Sequence, residues 1–320
     1  MGTEKAIEIR EIEKRYREDF WRAPKTALRG ISFDVPAGQI FGFLGANGAG
    51  KTTTIKIALG LQSATKGEIR IFGTDSRSAD ARMRIGFLPE RPYFHLNLTG
   101  NEFLDFHRRL YRGGSRGRTL ASNEELLREV GLADVGKRLL RNYSKGMLQR
   151  IGLAQALIND PDLVILDEPM SGLDPLGRRD VRNLMLELHK KGKTIFFSSH
   201  ILSDIESICQ QIAFLEKGEL KYCGSIDDLL KSGSREYEIL FEMENASSIP
   251  DFGKNATLKS WGKLMRLSVK GEQEARAAVE ILWSRGAKVN SFGLAHKSLE
   301  DILFGETGRE DGFSSLRNST

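Results

Sequence analysis

From Ile40 to Leu215, short runs of apolar residues alternate with stretches in which apolar positions recur every three or four residues. That alternation predicts strand–helix units around a largely parallel sheet, an α/β core. Ile40–Leu44 (IFGFL) reads as a strand entering a glycine-rich turn, and Lys51 to Leu59 as the helix after it, with Ile55 and Leu59 on one face. Leu163–Leu166 and Thr194–Phe197 are too short for helices and read as buried strands. Between the strands at Ile40 and Leu163 the period is helical over Glu102 to Tyr111, Asn123 to Val130 and Gly146 to Ile158, with Arg112 to Arg118 as a loop. Past Gly224 the period drops to two over Tyr237–Met243 and Leu264–Val269, with a helical stretch over Gln273–Trp283. The expected organisation is an α/β domain over 1–224 with its helical part at about 90–160, a small α+β domain over 225–307, and a polar tail over 308–320 without fixed structure.

The turn after the first strand, Gly45-Ala46-Asn47-Gly48-Ala49-Gly50-Lys51-Thr52, matches GxxxxGK[ST] and opens a helix, as a phosphate-binding loop does. Its glycines let successive backbone amides turn inward around phosphate oxygens, while the helix start adds a partial positive charge. Lys51 supplies a full charge for β- and γ-phosphates, Thr52 a hydroxyl for Mg²⁺, and Thr53 stands next to it. Leu163–Leu166 ends in Asp167-Glu168, and carboxylates at such a strand end face the ligand crevice of a parallel sheet. Asp167 is the expected Mg²⁺ partner and Glu168 the base for an attacking water. Strand alternation would send the two side chains to opposite faces, so the chain must already be leaving the sheet at Glu168.

Just before that acidic strand lies Asn142-Tyr143-Ser144-Lys145-Gly146-Met147-Leu148-Gln149-Arg150, which resembles the signature of ABC ATPases. Ser171-Gly172-Leu173-Asp174 resembles the family's D-loop, Ser198-Ser199-His200 its switch histidine, and Gly86 to Glu90 its Q-loop, with Glu90 where glutamine is commonest. The resemblance covers Ile7 to about Gly224. It implies a P-loop NTPase cassette with a RecA-like parallel-sheet core and antiparallel β and α-helical subdomains, hydrolysing ATP with Mg²⁺. It also implies a head-to-tail dimer in which Ser144, Lys145 and Gly146 of one copy cover the nucleotide held by the other, with Asp174 at the seam. By the same resemblance His200 contacts the γ-phosphate and holds Glu168 in register, Glu90 joins Thr52 and Asp167 at the metal, and Tyr16 stacks on adenine, with Phe20 and Trp21 as competitors or as packing residues. Lys145, in place of a usual glycine, either adds charge toward the phosphate or is a solvated helix-start lysine.

The signature and the segment Lys297–Leu303 resemble the ATPases of ABC-2-type exporters, which work with a separate transmembrane permease. In that setting Phe103, Phe106, Leu110 and Tyr111, with the Glu90 loop, form either a groove for the permease or the core of the helical region. Relatives that act on ribosomes usually carry two cassettes, and DNA-repair relatives carry a long coiled coil between the two halves of the site. This chain reads as one cassette with short helices there.

Composition changes that picture little. The 320 residues are 40% hydrophobic and 28% charged, enough for a sizeable core and roughly two domains at ~150 residues each. A net charge of +5 comes from 48 basic residues interleaved with 43 acidic ones, so no specific nucleic-acid partner is expected. The charged N-terminus lacks a signal-peptide pattern, no segment approaches ~18 unbroken apolar residues, and Cys209 and Cys223 form no metal or disulfide pattern. The expected place is the cytoplasm, on the cytoplasmic face of the membrane through the permease.

Overall fold

The computed structural model describes residues 4–17, 21, 24–111, 120–232, 236–243, 252, 256–295 and 302–303. Phe20, the Arg112 to Arg118 loop, most of the Lys297–Leu303 segment and the 308–320 tail lie outside them. The chain divides into two compact units, Met1–Ile226 and Asp227–Thr320, two residues beyond the boundary expected from sequence.

In the first unit, β1 (Lys5–Tyr16) and β2 (Lys25–Pro36) form an antiparallel ribbon, and β3 (Ile40–Leu44) leads through the glycine turn into α1 (Lys51–Ala58). β4 (Lys66–Ile71) and β5 (Thr74–Asp75) rejoin the ribbon, and α2 (Ala79–Met83) leads into β6 (Ile85–Leu88). Then come α3 (Gly100–Tyr111), α4 (Asn123–Glu129), α5 (Lys145–Ala156), β7 (Leu163–Leu166), α6 (Pro175–Lys190), β8 (Thr194–Ser199), α7 (Leu202–Glu206), β9 (Gln211–Glu216) and β10 (Glu219–Ser225).

Two sheets result: an antiparallel one in the order β2-β1-β4-β5, and a six-stranded one in the order β10-β9-β3-β8-β7-β6. From β9 to β6 every neighbouring pair in the second sheet is parallel. The helical region read between β3 and β7 also holds three strands, β4, β5 and β6, and β6 pairs with β7. Its four residues carry no alternation, because a strand covered on both faces has none to show.

A single buried cluster joins both sheets to α1, with Ile7, Ile9 and Ile12 from β1 meeting Phe41 and Phe43 from β3 and Phe196 from β8. Phe33 of β2 stacks on Phe41 with ring centroids 6.0 Å apart, and Phe41 stacks on Phe196 at 5.9 Å. Such packing contributes about 0.5–1.5 kcal/mol per aromatic pair beyond burial and anchors β3 and β8, the strands that carry site loops.

In the second unit, α8 (Ile226–Ser232) crosses the boundary and is followed by β11 (Glu236–Glu242), β12 (Ala256–Trp261), β13 (Leu264–Lys270), α9 (Glu272–Ser284) and β14 (Lys288–Leu294). The sheet is antiparallel in the order β12-β13-β11-β14, and α9 buries Ala275, Ala278, Val279 and Leu282 against Ile239, Phe241, Met265 and Leu267. No helix among the described residues is long and apolar enough to cross a membrane.

Candidate nucleotide site

Strands β3, β8 and β7 are neighbours, with Leu44 paired to Ser199 and Leu166 paired to Phe197. Three stretches far apart in sequence therefore end together: the glycine turn after β3, Asp167-Glu168 after β7 and His200 after β8. Ligands of open parallel sheets bind in this position, outside the carboxyl ends of the strands.

The turn itself demands glycine. Gly50 has φ +114°, and a Cβ at Gly45 would stand 2.4 Å from the Leu215 carbonyl oxygen. Lys51, only 6% exposed, donates through Nζ to the Gly45 carbonyl at 2.6 Å and lies 3.1 Å from Glu168 Oε1. Thr52 Oγ1 donates to Asp167 Oδ2 at 2.9 Å. A cavity of about 530 Å³ opens over these groups, lined among others by Tyr16, Lys25, Asn47, Lys51, Thr52 and Glu90. Ala46, Gly48, Thr53 and Glu168 line it too.

Glu168 sits at φ +51°, a left-handed backbone that a non-glycine residue seldom adopts. This turn out of the strand brings Glu168 to the cavity while Asp167 stays against Thr52 at its wall. The distortion is held by Ser198, whose hydroxyl accepts from the Glu168 amide at 2.9 Å and donates to Asp167 Oδ1 at 2.6 Å. Beyond it, His200 Nδ1 stands 2.7 Å from Glu168 Oε2. With the carboxylate ionised, Nδ1 is the donor and Nε2 is left for another partner. Burial raises the Glu168 pKa, but the His200 hydrogen bond and the charges of Lys51 and His200 outweigh it, so the carboxyl is held below its ordinary value.

The remaining sequence-predicted residues spread more widely. Tyr16 reaches the cavity with its hydroxyl donating to Gln62 Oε1 at 2.9 Å, 3.3 Å from Thr53 Oγ1, which fixes the ring at the rim. Trp21 is 93% exposed. Glu90 is exposed at the cavity edge, 3.7 Å from Arg91 Nε. Ser144 caps α5, accepting from the Met147 amide at 3.3 Å, and a Cβ at Gly146 would meet open space. Within this chain Lys145 is exposed and its ammonium lies against Gly172 of the 171–174 turn. Asp174 caps α6, accepting from the Gly177 amide at 2.7 Å. Of the aromatics weighed for a partner groove, Phe103 is fully buried against Phe94 and His107 and belongs to the core, a correction to its place in that groove. Phe106 and Leu110 are exposed at 44% and 69%.

Sequence reasoning missed the bridging role of Ser198, although the residue stood in a quoted motif. The signal was the β7–β8 pairing, which sets Ser198 beside Asp167 and is invisible without the sheet order. It also missed Gln149, whose amide donates to the Pro169 carbonyl at 2.8 Å and ties α5 to the loop after Glu168.

The donor set suits a hard cation. Thr52 and Asp167 offer two oxygens beside the phosphate loop, few for a free-standing site and fitting for an ion that arrives with a triphosphate.

Comparison with known proteins gives the same direction. The family model described as ABC transporter matches residues 28–171. An uncharacterized ABC transporter ATP-binding protein of Synechocystis sp. is 42% identical over 314 residues, 97% of this chain and 86% of that one. The fluoroquinolones export ATP-binding protein of Mycobacterium tuberculosis is 38% identical over 237 residues, 73% of this chain and 75% of its own length. A solved ATP binding subunit of an ABC transporter matches with a TM-score of 0.59 at 31% identity, over 71% of this chain and 92% of that chain.

Proposed function

This chain belongs to the ABC transporter ATP-binding proteins, and from that premise we propose that it hydrolyses MgATP as the motor of an exporter whose membrane-spanning permease is a separate protein. The observation that carries the reading is the meeting of Lys51, the Thr52–Asp167 pair and the Glu168–His200 pair at the ends of three adjacent parallel strands. Export rather than uptake is supported by the likeness to the M. tuberculosis protein named for fluoroquinolone export.

In this mechanism the backbone amides of 45–50 and the start of α1 receive the β- and γ-phosphates, and Lys51 exchanges its bond with the Gly45 carbonyl for a phosphate oxygen. Thr52 and Asp167, with Glu90 beside them, would hold Mg²⁺, which neutralises charge on the phosphate oxygens when bound. Glu168 orients the water and accepts its proton, and His200 keeps that carboxylate aimed through Nδ1, leaving Nε2 to bond the terminal phosphate. Tyr16 stacks on adenine, a contact of about 0.5–1.5 kcal/mol.

The cavity encloses the phosphates from one side. The second wall is Ser144 and the Gly146 amide of another copy, both at the exposed start of α5, so two cassettes clamp two nucleotides head to tail, with Asp174 at the seam. Closing on ATP and opening after hydrolysis make the two states differ in nucleotide affinity, and that difference moves the permease. Phe106 and Leu110 are the exposed apolar residues offered to a permease segment, which would hold the protein at the cytoplasmic face of the membrane.

The test is made on purified protein. Lys51→Ala should lose nucleotide binding, whereas Glu168→Gln should bind MgATP, lose at least ~100-fold in turnover and elute as a dimer only with ATP. Glu168→Gln remaining monomeric in excess ATP, or turning over at the wild-type rate, would falsify the reading.

A further inference from the structure

Four residues beyond His200, Asp204 is a carboxylate only 3% exposed that has no part in the steps above. It faces two arginines of α6: Arg178 Nη1 lies 3.9 Å from Oδ2, and Arg182 Nη2 lies 3.9 Å from Oδ1. Asp174, Arg178 and Arg182 are spaced four apart and so share one stripe of α6, which begins at the Asp174 cap. Arg178 is held at its other end as well, since Nε donates to the Leu173 carbonyl in the turn before that cap at 3.4 Å. Asp204 also lines the space behind Glu168, Ser171 and Ser198.

We propose that Asp204 is a positioning residue for ATP hydrolysis: through Arg178 it links the 171–174 turn to the His200 segment, so that His200 holds Glu168 in its working orientation only while that turn is in place. The inference rests on the catalytic reading of Glu168 and His200. Its geometry runs from the Leu173 carbonyl through the Arg178 guanidinium to the Asp204 carboxylate, back through the first turn of α7 and its Ile201 cap to His200, and by a hydrogen bond to Glu168. Both arginine contacts, at 3.9 Å, are longer than a close charge-assisted hydrogen bond. Burial raises the Asp204 pKa, Arg178, Arg182 and His200 lower it and Glu168 raises it; the net direction is upward, as for a carboxylate whose partners stand at this distance.

Asp204→Asn, nearly isosteric, should lower kcat for ATP about tenfold while KM for MgATP stays within about twofold. In a His200→Ala background, read by single turnover, the same change should cost nothing further, because its route to Glu168 is already cut. An equal fall in both backgrounds would mean that Asp204 merely supports the fold, and an unchanged kcat would also overturn the link. Should Asp204→Asn melt early, Arg178→Met tests the same link from a side chain 30% exposed, with the same two outcomes. If wild-type protein hydrolyses no ATP, the catalytic reading itself fails; if it does and these variants behave as wild type, only the Asp204 link fails.

Discussion

His200 Nδ1 and Glu168 Oε2 are 2.7 Å apart across the ends of two neighbouring strands, and this contact, with Lys51, holds the proposed base below its ordinary pKa. Glu168 is buried, which alone would raise its pKa, yet His200 and Lys51 bring it below the ordinary 4.5. A carboxyl whose pKa is depressed in the folded state contributes stability that is fully present above 4.5 and lost as pH falls through the lower folded value. The same sign governs catalysis, because the base stays ionised to lower pH than a free glutamate. His200→Ala removes the strongest of the lowering influences, so the acid limb of kcat/KM should move to higher pH. A pH–rate profile with an unmoved acid limb would show that the contact does not tune Glu168.

Ser198 is predicted to matter more than its neighbour. It is fully buried, and its hydroxyl serves both Asp167 and the amide of the strained Glu168. Ser198→Ala leaves both groups short of a partner, at a cost of about 1–3 kcal/mol, and frees Glu168 to relax from φ +51°. Among the described residues the Ser199 hydroxyl bonds only within its own turn, to Ile201, so Ser199→Ala should cost less, ~0.5–1.5 kcal/mol. Denaturant unfolding of the two variants checks the order, and equal losses would contradict it.

Much of this site was legible in the chain because its motifs are local. The glycine turn, Lys51 and Thr52 lie within eight residues, and their chemistry needs only a strand before and a helix after. The Asp167-Glu168 geometry was half legible: alternation demanded that the chain leave the sheet at Glu168, and φ +51° is how it does so. What the sequence hid is relational. β6 shows no period since both its faces are covered, and Ser198 meets Asp167 only because β7 and β8 pair. Phe103 and Phe106 lie on one helix three residues apart, and no periodicity separates the buried ring from the exposed one.

Glu90, where the family most often has glutamine, should tolerate that exchange. The side chain is exposed at the cavity edge and faces Arg91 at 3.7 Å, so its charge is screened by solvent and by a neighbour. An amide keeps the oxygen that would face the metal or the water. Glu90→Gln is expected to hold kcat within about threefold of wild type, measured at saturating MgATP. Near-complete loss of turnover would show that the carboxylate charge itself takes part.

Phe103 and Phe106 separate fold from partner binding. Phe103 is fully buried, with its ring 5.6 Å from Phe94 and 4.6 Å from His107, and Phe103→Ala should cost about 3–5 kcal/mol through the cavity it leaves. Phe106 is 44% exposed and touches His95 and His107 by ring edges, so Phe106→Ala should cost about 1 kcal/mol or less and leave the ATPase rate of the isolated protein unchanged. A folded Phe106→Ala protein isolates the surface: if this ring seats a permease segment, the variant should sediment less with membranes of the cell that makes its permease. Full recovery with the membrane fraction, or a loss of stability matching that of Phe103→Ala, would return Phe106 to the core of the helical region and move the docking site elsewhere.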